Sequence, residues 1–232
     1  LSWLARERGD RALAHHHIAI ALPLATRAAE QMKAPSDDIY EIMFRLVAAQ
    51  LHSAEHDFDR HRQLAEEARA LAEQRGHRRL LCSSHESLAL WALHVLDVDR
   101  AAQHLDDTDA VARDIGQTLI LATVPLLRAR LAVIAGDEAA TMALALEAER
   151  QQRRIGGRAM LGECLMLRAE LLARRGDPAA ACELLREATE IYAGVGDDAE
   201  MRACRLRTAD VWRGEGRLDR AVALVEAELP FL

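Results

Sequence analysis

Apolar and polar positions along this chain recur with the period of a helix, and the whole pattern recurs every 40 residues. In "PAAACELLREATEIYAGVG", Leu184, Leu185, Ala188 and Ile191 share one helical face. The stretch before it, "RAMLGECLMLRAELLARRG", is also helical in character and stops at Gly176. Glycine suits the left-handed conformation that ends a helix. Asp177 then predicts an N-cap, its carboxylate accepting from free backbone N–H groups. Pro178 occupies the first helical position, where no N–H is needed. The unit is a helix, a corner and a second helix running back.

Three registers repeat this unit. Gly76, Gly116, Gly156 and Gly196 form one series. Gly136, Gly176 and Gly216 form another, with Leu96 and His56 in its earlier slots. One place further stand Asp57, Asp97, Asp137 and Asp177, until Arg217 breaks the pattern. The third series is small and apolar: Ala49, Ala89, Ala129, Ala169 and Ala209. Fixed-period self-similarity of this length marks a repeat architecture. The repeats are placed at about 1–36, 37–76, 77–116, 117–156, 157–196 and 197–232, as one solenoid and a piece of a larger multidomain protein. The first repeat is longer, with a kink expected at Pro23 and a loop at Pro35-Ser36-Asp37. Arg8-Gly9-Asp10 and Arg175-Gly176-Asp177 spell a cell-adhesion tripeptide, but their place in the repeat makes them corners.

Composition supports an all-helical chain. Half of the residues are hydrophobic and only 3% aromatic, and the filler is mostly Ala and Leu, both strong helix formers. The net charge of −7 argues against direct nucleic-acid binding, which needs a basic face. Cys82, Cys164, Cys182 and Cys204 include no C-x-x-C pair, which points to a reducing, cytoplasmic setting. Charged residues interrupt every apolar stretch before it could span a membrane.

Helix pairs with a small residue in the first helix, a Gly-Asp corner and small residues in the second resemble tetratricopeptide repeats. Ala169, Gly176-Asp177, Ala181, Leu185 and Ala188 carry the resemblance in the fifth repeat. Ala129, Gly136-Asp137, Thr141, Ala145 and Ala148 carry it in the fourth. The usual period of that family is about 34, so each helix here is longer by nearly a turn, and Trp212 is the clearest surviving aromatic. The long Ala/Leu/Arg repeats are similar to sensor regions of maltose-regulator-type and LuxR-type bacterial transcriptional regulators. The expected fold is all-α, a right-handed α-solenoid of about six antiparallel helix pairs. The resemblance places the first helices on the concave side, with Gln50, Glu86, Leu90, His94, Arg130, Glu170, Asp210 and Arg213 as groove-lining candidates. Only Arg130 and Arg213 among these are basic, so a clamp for a partner's terminal carboxylate is not expected.

The densest polar cluster is "LHSAEHDFDRH", where His52 and His56 share a helix face close to Asp57, Asp59 and His61. Zinc needs three or four such ligands in tetrahedral reach. His56 fills the corner slot and Asp57 the cap slot, so no metal is expected there. His85 and His94 read as partly buried polar residues. Cys164 and Cys204, 40 apart, read as small core residues. No phosphate loop or nucleophile elbow occurs. The expectation is a non-catalytic scaffold without cofactor or metal. It would bind a protein, peptide or small effector and serve as the sensor or interaction region of a bacterial signalling or transcriptional regulator. Its partners would include other domains of the parent chain. The alternative is a homotypic oligomerisation module, a homodimer through exposed terminal helices such as those of "LSWLAR" and "VEAELPFL". A metal-dependent enzyme built on the His52 cluster ranks below both.

Overall fold

A computed structural model of the chain describes residues 35–229, together with Ile20 and Pro23. The corner at residues 8–10, the run His15 to His17 and the apolar ends at 1–6 and 230–232 lie outside the described residues. Ten helices follow one another, with no strand among the described residues. They are α1 (Pro35–Ala54), α2 (Phe58–Gln74), α3 (Arg78–His94), α4 (Val98–Asp114) and α5 (Thr118–Ile134). Then come α6 (Glu138–Ile155), α7 (Arg158–Arg174), α8 (Pro178–Val195), α9 (Asp198–Gly214) and α10 (Leu218–Glu228). Two 17-residue helices and two three-residue corners make up the 40-residue period. Helix α1 begins at Pro35, where a loop was expected. Proline is at home in a first helical turn.

The corners have one construction. The N–H of the third corner residue reaches back five residues, as in Asp57 to the His52 carbonyl (2.9 Å), Asp97 to Ala92 (2.9 Å) and Asp177 to Leu172 (2.9 Å). This is the Schellman closure, which places the middle residue in the left-handed region. Gly136, Gly176 and Gly216 stand there at φ of 74°, 82° and 76°. His56 and Leu96 adopt the same conformation, at φ 61° and 59°, without glycine's freedom. Asp57, Asp97, Asp137 and Asp177 cap the following helices, accepting from the N–H of the residue three further on. Asp197 does the same for α9, and Arg217 supplies no side-chain cap. Arg175-Gly176-Asp177 is such a corner, from the C-cap of α7 to the N-cap of α8.

Two compact units divide the chain, one ending at Ala135 and the other beginning at Gly136. In the first, α1 to α5 each pack on the next, and the first helices of successive repeats, α1, α3 and α5, also touch. In the second, α6 to α10 each pack on the next. Ala49, Ala89, Ala129, Ala169 and Ala209 are all at most 3% exposed. Small side chains there let neighbouring helices approach closely, and stacking buries faces that one pair could not.

The repeats also trade volume between paired slots. Ala101 packs with Leu127 in one cluster; 40 residues earlier His61 is hydrogen-bonded to Ser87. The first pair is small then large, the second large then small. Cys82 and Ala112 pack together; 80 residues later the equivalent slots hold Gly162 and Tyr192. A methyl at Gly162 would lie 2.6 Å from the Tyr192 ring, so the missing side chain makes room for that ring.

Candidate functional site

Each unit contains a groove built largely by first helices. In the unit beginning at Gly136, small residues keep the space between α7 and α9 open. Ala169, Ala173 and Ala203, with Leu206 and Val211, give an apolar floor, and Glu170, Arg174, Arg207, Asp210 and Glu215 supply a charged rim. The groove encloses about 950 Å3. Gly214 lies on its wall, and a Cβ there would meet no atom within 4 Å.

The groove of the unit ending at Ala135 runs along α1 and α3 and encloses about 710 Å3. Leu46, Val47 and Leu90 give its apolar surface, with Gln50, Arg78, Arg79 and Glu86 among its polar residues. Glu86 is partly buried and accepts a hydrogen bond from Thr123 Oγ1 at 2.7 Å. Burial pushes its carboxyl above the ordinary carboxylate range, against that hydrogen bond.

Gln50, Glu86 and Leu90 therefore lie together in one groove, and Glu170 and Asp210 in the other. His94 sits elsewhere, stacked on Phe58 with ring centroids 5.3 Å apart and bonded through Nδ1 to Ser53 Oγ at 3.2 Å. Arg130 lies near enough to His94 to lower its pKa, although burial is the larger cause. Arg213 pairs with Asp210 at 3.2 Å. Leu126 and Met166, on the first helices α5 and α7, are buried in the core.

The histidines of "LHSAEHDFDRH" do not converge. His52 Nδ1 approaches Asp57 at 3.4 Å, whereas His61 turns inward, 1% exposed, with Nε2 at 3.0 Å from Ser87 Oγ. His56 holds the corner and meets Phe58 edge-on. The only group of three or more metal-capable side chains among the described residues is a different one: His85 on α3 with His104 and Asp107 on α4. His85 Nδ1 lies 3.3 Å from His104 Nδ1 and 3.5 Å from Asp107 Oδ2. Burial lowers the pKa of both rings. Sequence gave little warning of this group, because its members come together only when α3 and α4 pack in register. Trp91 is 7% exposed and flanked by the guanidinium groups of Arg62 and Arg100, each 5.6 Å from the ring centroid.

Burial raises the pKa of all four cysteine thiols. Burial pushes the Cys82 and Cys204 thiols up to about 11 and Cys164 up to about 12, away from the thiolate that nucleophilic or redox chemistry requires.

No protein-family model matches the sequence, and no curated protein matches it. Solved structures do match in shape. BtubC (BKLC) from P. vanneervenii superposes with a TM-score of 0.69 at 18% identity, over 91% of this chain and 87% of that one. A signal transduction ATPase with numerous domains from Pyrococcus horikoshii, which carries a tetratricopeptide repeat sensor, superposes with a TM-score of 0.65 at 14% identity. That match covers 94% of this chain and 34% of the ATPase. The fold is a tetratricopeptide-like helical repeat. At these identities the likeness is one of fold. Among the described residues of this repeat chain, no helix is long and apolar enough to cross a membrane.

Proposed function

We propose that this chain is a non-catalytic binding scaffold, the sensor or interaction region of a bacterial cytoplasmic signalling or transcriptional regulator. The observation that carries the proposal is the groove between α7 and α9. Its volume of about 950 Å3 is large for a small-molecule site. An apolar floor between charged rims of both signs suits an extended peptide or an amphipathic partner helix. The groove in the other unit, with Glu86 in its wall, offers a second surface, for a small effector. A fold likeness to a protein with a tetratricopeptide repeat sensor supports this reading, as do thiols held in the protonated form. Binding would stiffen the helix pairs and pass that change to a neighbouring domain of the parent chain.

A titration of the chain with a panel of mixed-charge peptides and with the parent's other domains tests the proposal. Binding tighter than about 100 μM is expected for at least one of them. Ala203→Trp should fill the larger groove and abolish that binding while leaving the helical circular dichroism unchanged. A panel with no binder counts against the reading, and so does binding untouched by Ala203→Trp and by Glu86→Ala. The second reading, homotypic assembly, rests on Leu218 and Val222 of α10 and Leu229 just past it, which are 57%, 53% and 58% exposed. Light scattering that gives one monomer mass across a wide concentration range removes it.

A further inference from the structure

We propose that His85, His104 and Asp107 form a zinc site that clips α3 to α4 in the third repeat. His104 and Asp107 are three residues apart on one helix, so their side chains rise from the same face. His85 meets them from the antiparallel neighbour, 19 residues back in sequence. One ligand atom from each of the three lies within 4.8 Å of the others.

The spacing fits a shared ion better than a direct bond. Nδ1 to Nδ1 is 3.3 Å, long beside the roughly 2.7–3.2 Å usual for an N–H donor and its acceptor. Zinc–nitrogen and zinc–oxygen bonds of about 2.0–2.2 Å at tetrahedral angles set neighbouring ligands about 3.3–3.5 Å apart. The two distances from His85 Nδ1, 3.3 Å to His104 and 3.5 Å to Asp107, match that edge. Two imidazoles and a carboxylate are the ligand types zinc takes, and three protein ligands leave a fourth position for water.

Charge and access agree with a cation. Asp107 supplies a negative charge at the solvent edge, 45% exposed, while the His85 side chain is 13% exposed. The positive charges nearby have carboxylate partners: Arg69 pairs with Glu73 at 3.0 Å and Arg100 with Asp97 at 3.4 Å. None of the three ligands lines either groove, so this site stands apart from the proposed partner surface.

The test uses the full 232-residue chain, untagged and stripped with a chelator. It is titrated with Zn2+ by calorimetry and with Co2+ by visible absorption, where tetrahedral coordination gives an intense band. One equivalent is expected, with the Co2+ band and a rise in melting temperature on adding Zn2+. His85→Gln and His104→Gln should each weaken binding at least about tenfold and abolish the metal-induced rise. Melting without metal shows whether each variant still folds, and Asp107→Asn serves as a third variant if a histidine change does not. His15, His16 and His17 changed together to alanine should leave the one-equivalent binding intact. Absence of binding overturns the proposal. So does binding that survives all three ligand changes, or that disappears with the residue 15–17 run alone.

Discussion

The two units share registers and differ in histidine. All ten histidines precede residue 105, so the unit that begins at Gly136 has none. The contrast is sharpest at one slot of the second helices. There Ala101, Thr141, Ala181 and Ala221 are buried small residues, and His61 is buried in their place. It fits because Ser87 is small where Leu127 stands in the next repeat. A repeat therefore constrains the joint volume of a contact more tightly than either residue. The unit ending at Ala135 has used that latitude to bury a histidine, and the other has not.

Acidification should break the two units apart in stability. Burial, reinforced by His94 and His52, lowers the His61 pKa from 6.5 to about 4. The native state then holds a neutral ring while the unfolded chain binds a proton, so stability is full above pH 6.5 and falls as pH drops toward 4. His61 alone accounts for roughly 2 kcal/mol after discounting for partial solvent screening. The pKa values of His85, His94 and His104 are lowered as well, in the same unit. Hydrogen exchange corrected for intrinsic rates, compared at pH 7 and pH 5, should show α2 to α4 losing protection while α7 to α9 keep theirs. Equal loss in both units would rule out the histidines as the source. Replacing the pair by that of the next repeat, His61→Ala with Ser87→Leu, should leave a folded chain with a shallower acid slope.

The compensated pair of the histidine-free unit gives a smaller effect. Gly162→Ala drives a methyl to 2.6 Å from the Tyr192 ring, and overpacking of this kind costs about 1–2 kcal/mol. Tyr192→Ala added to that variant should recover part of the loss, since the equivalent slots in the third repeat hold Cys82 and Ala112. It also removes the hydrogen bond from the Tyr192 hydroxyl to the Ala159 carbonyl (3.2 Å), so recovery should be incomplete. Thermal melts of the two variants and their combination measure the coupling; additive losses would show that the two sites do not share one space.

Period, corners and small-residue slots could be read in the sequence because each is a local requirement imposed again every 40 residues. A left-handed corner wants glycine, a helix start wants an oxygen acceptor, and a close helix contact wants alanine. The repeat even revealed the left-handed role of His56 and Leu96, residues that would not suggest it by themselves. Gln50, Glu86, Glu170 and Asp210 reach groove walls from their places in the first helices. Leu126 and Met166 occupy similar positions but are buried, because their exposure depends on the neighbouring helix. His85, His104 and Asp107 were hidden for the same reason: none is unusual in its own helix, and only the packing of α3 on α4 brings them together.

The corners carry the smallest predicted effect and the cleanest one. Five corner slots of this register are described, and the later unit fills its own with glycine while the earlier unit uses His56 and Leu96 at φ near 60°. A left-handed conformation costs a residue with a Cβ roughly 1–2 kcal/mol, part of which glycine returns through the greater freedom of its unfolded chain. Leu96 is 65% exposed, so its side chain gives little burial in exchange for the strain. Leu96→Gly should therefore stabilise the chain by about 0.5–1 kcal/mol. His56→Gly should gain less, because it loses the edge contact with Phe58. Gly176→Ala, at φ 82° in open space, should lose about 1 kcal/mol with no steric clash to confuse the result. Denaturant midpoints at constant slope would measure all three. A Leu96→Gly midpoint below that of the parent chain would mean the leucine holds its corner through contacts stronger than its exposure implies.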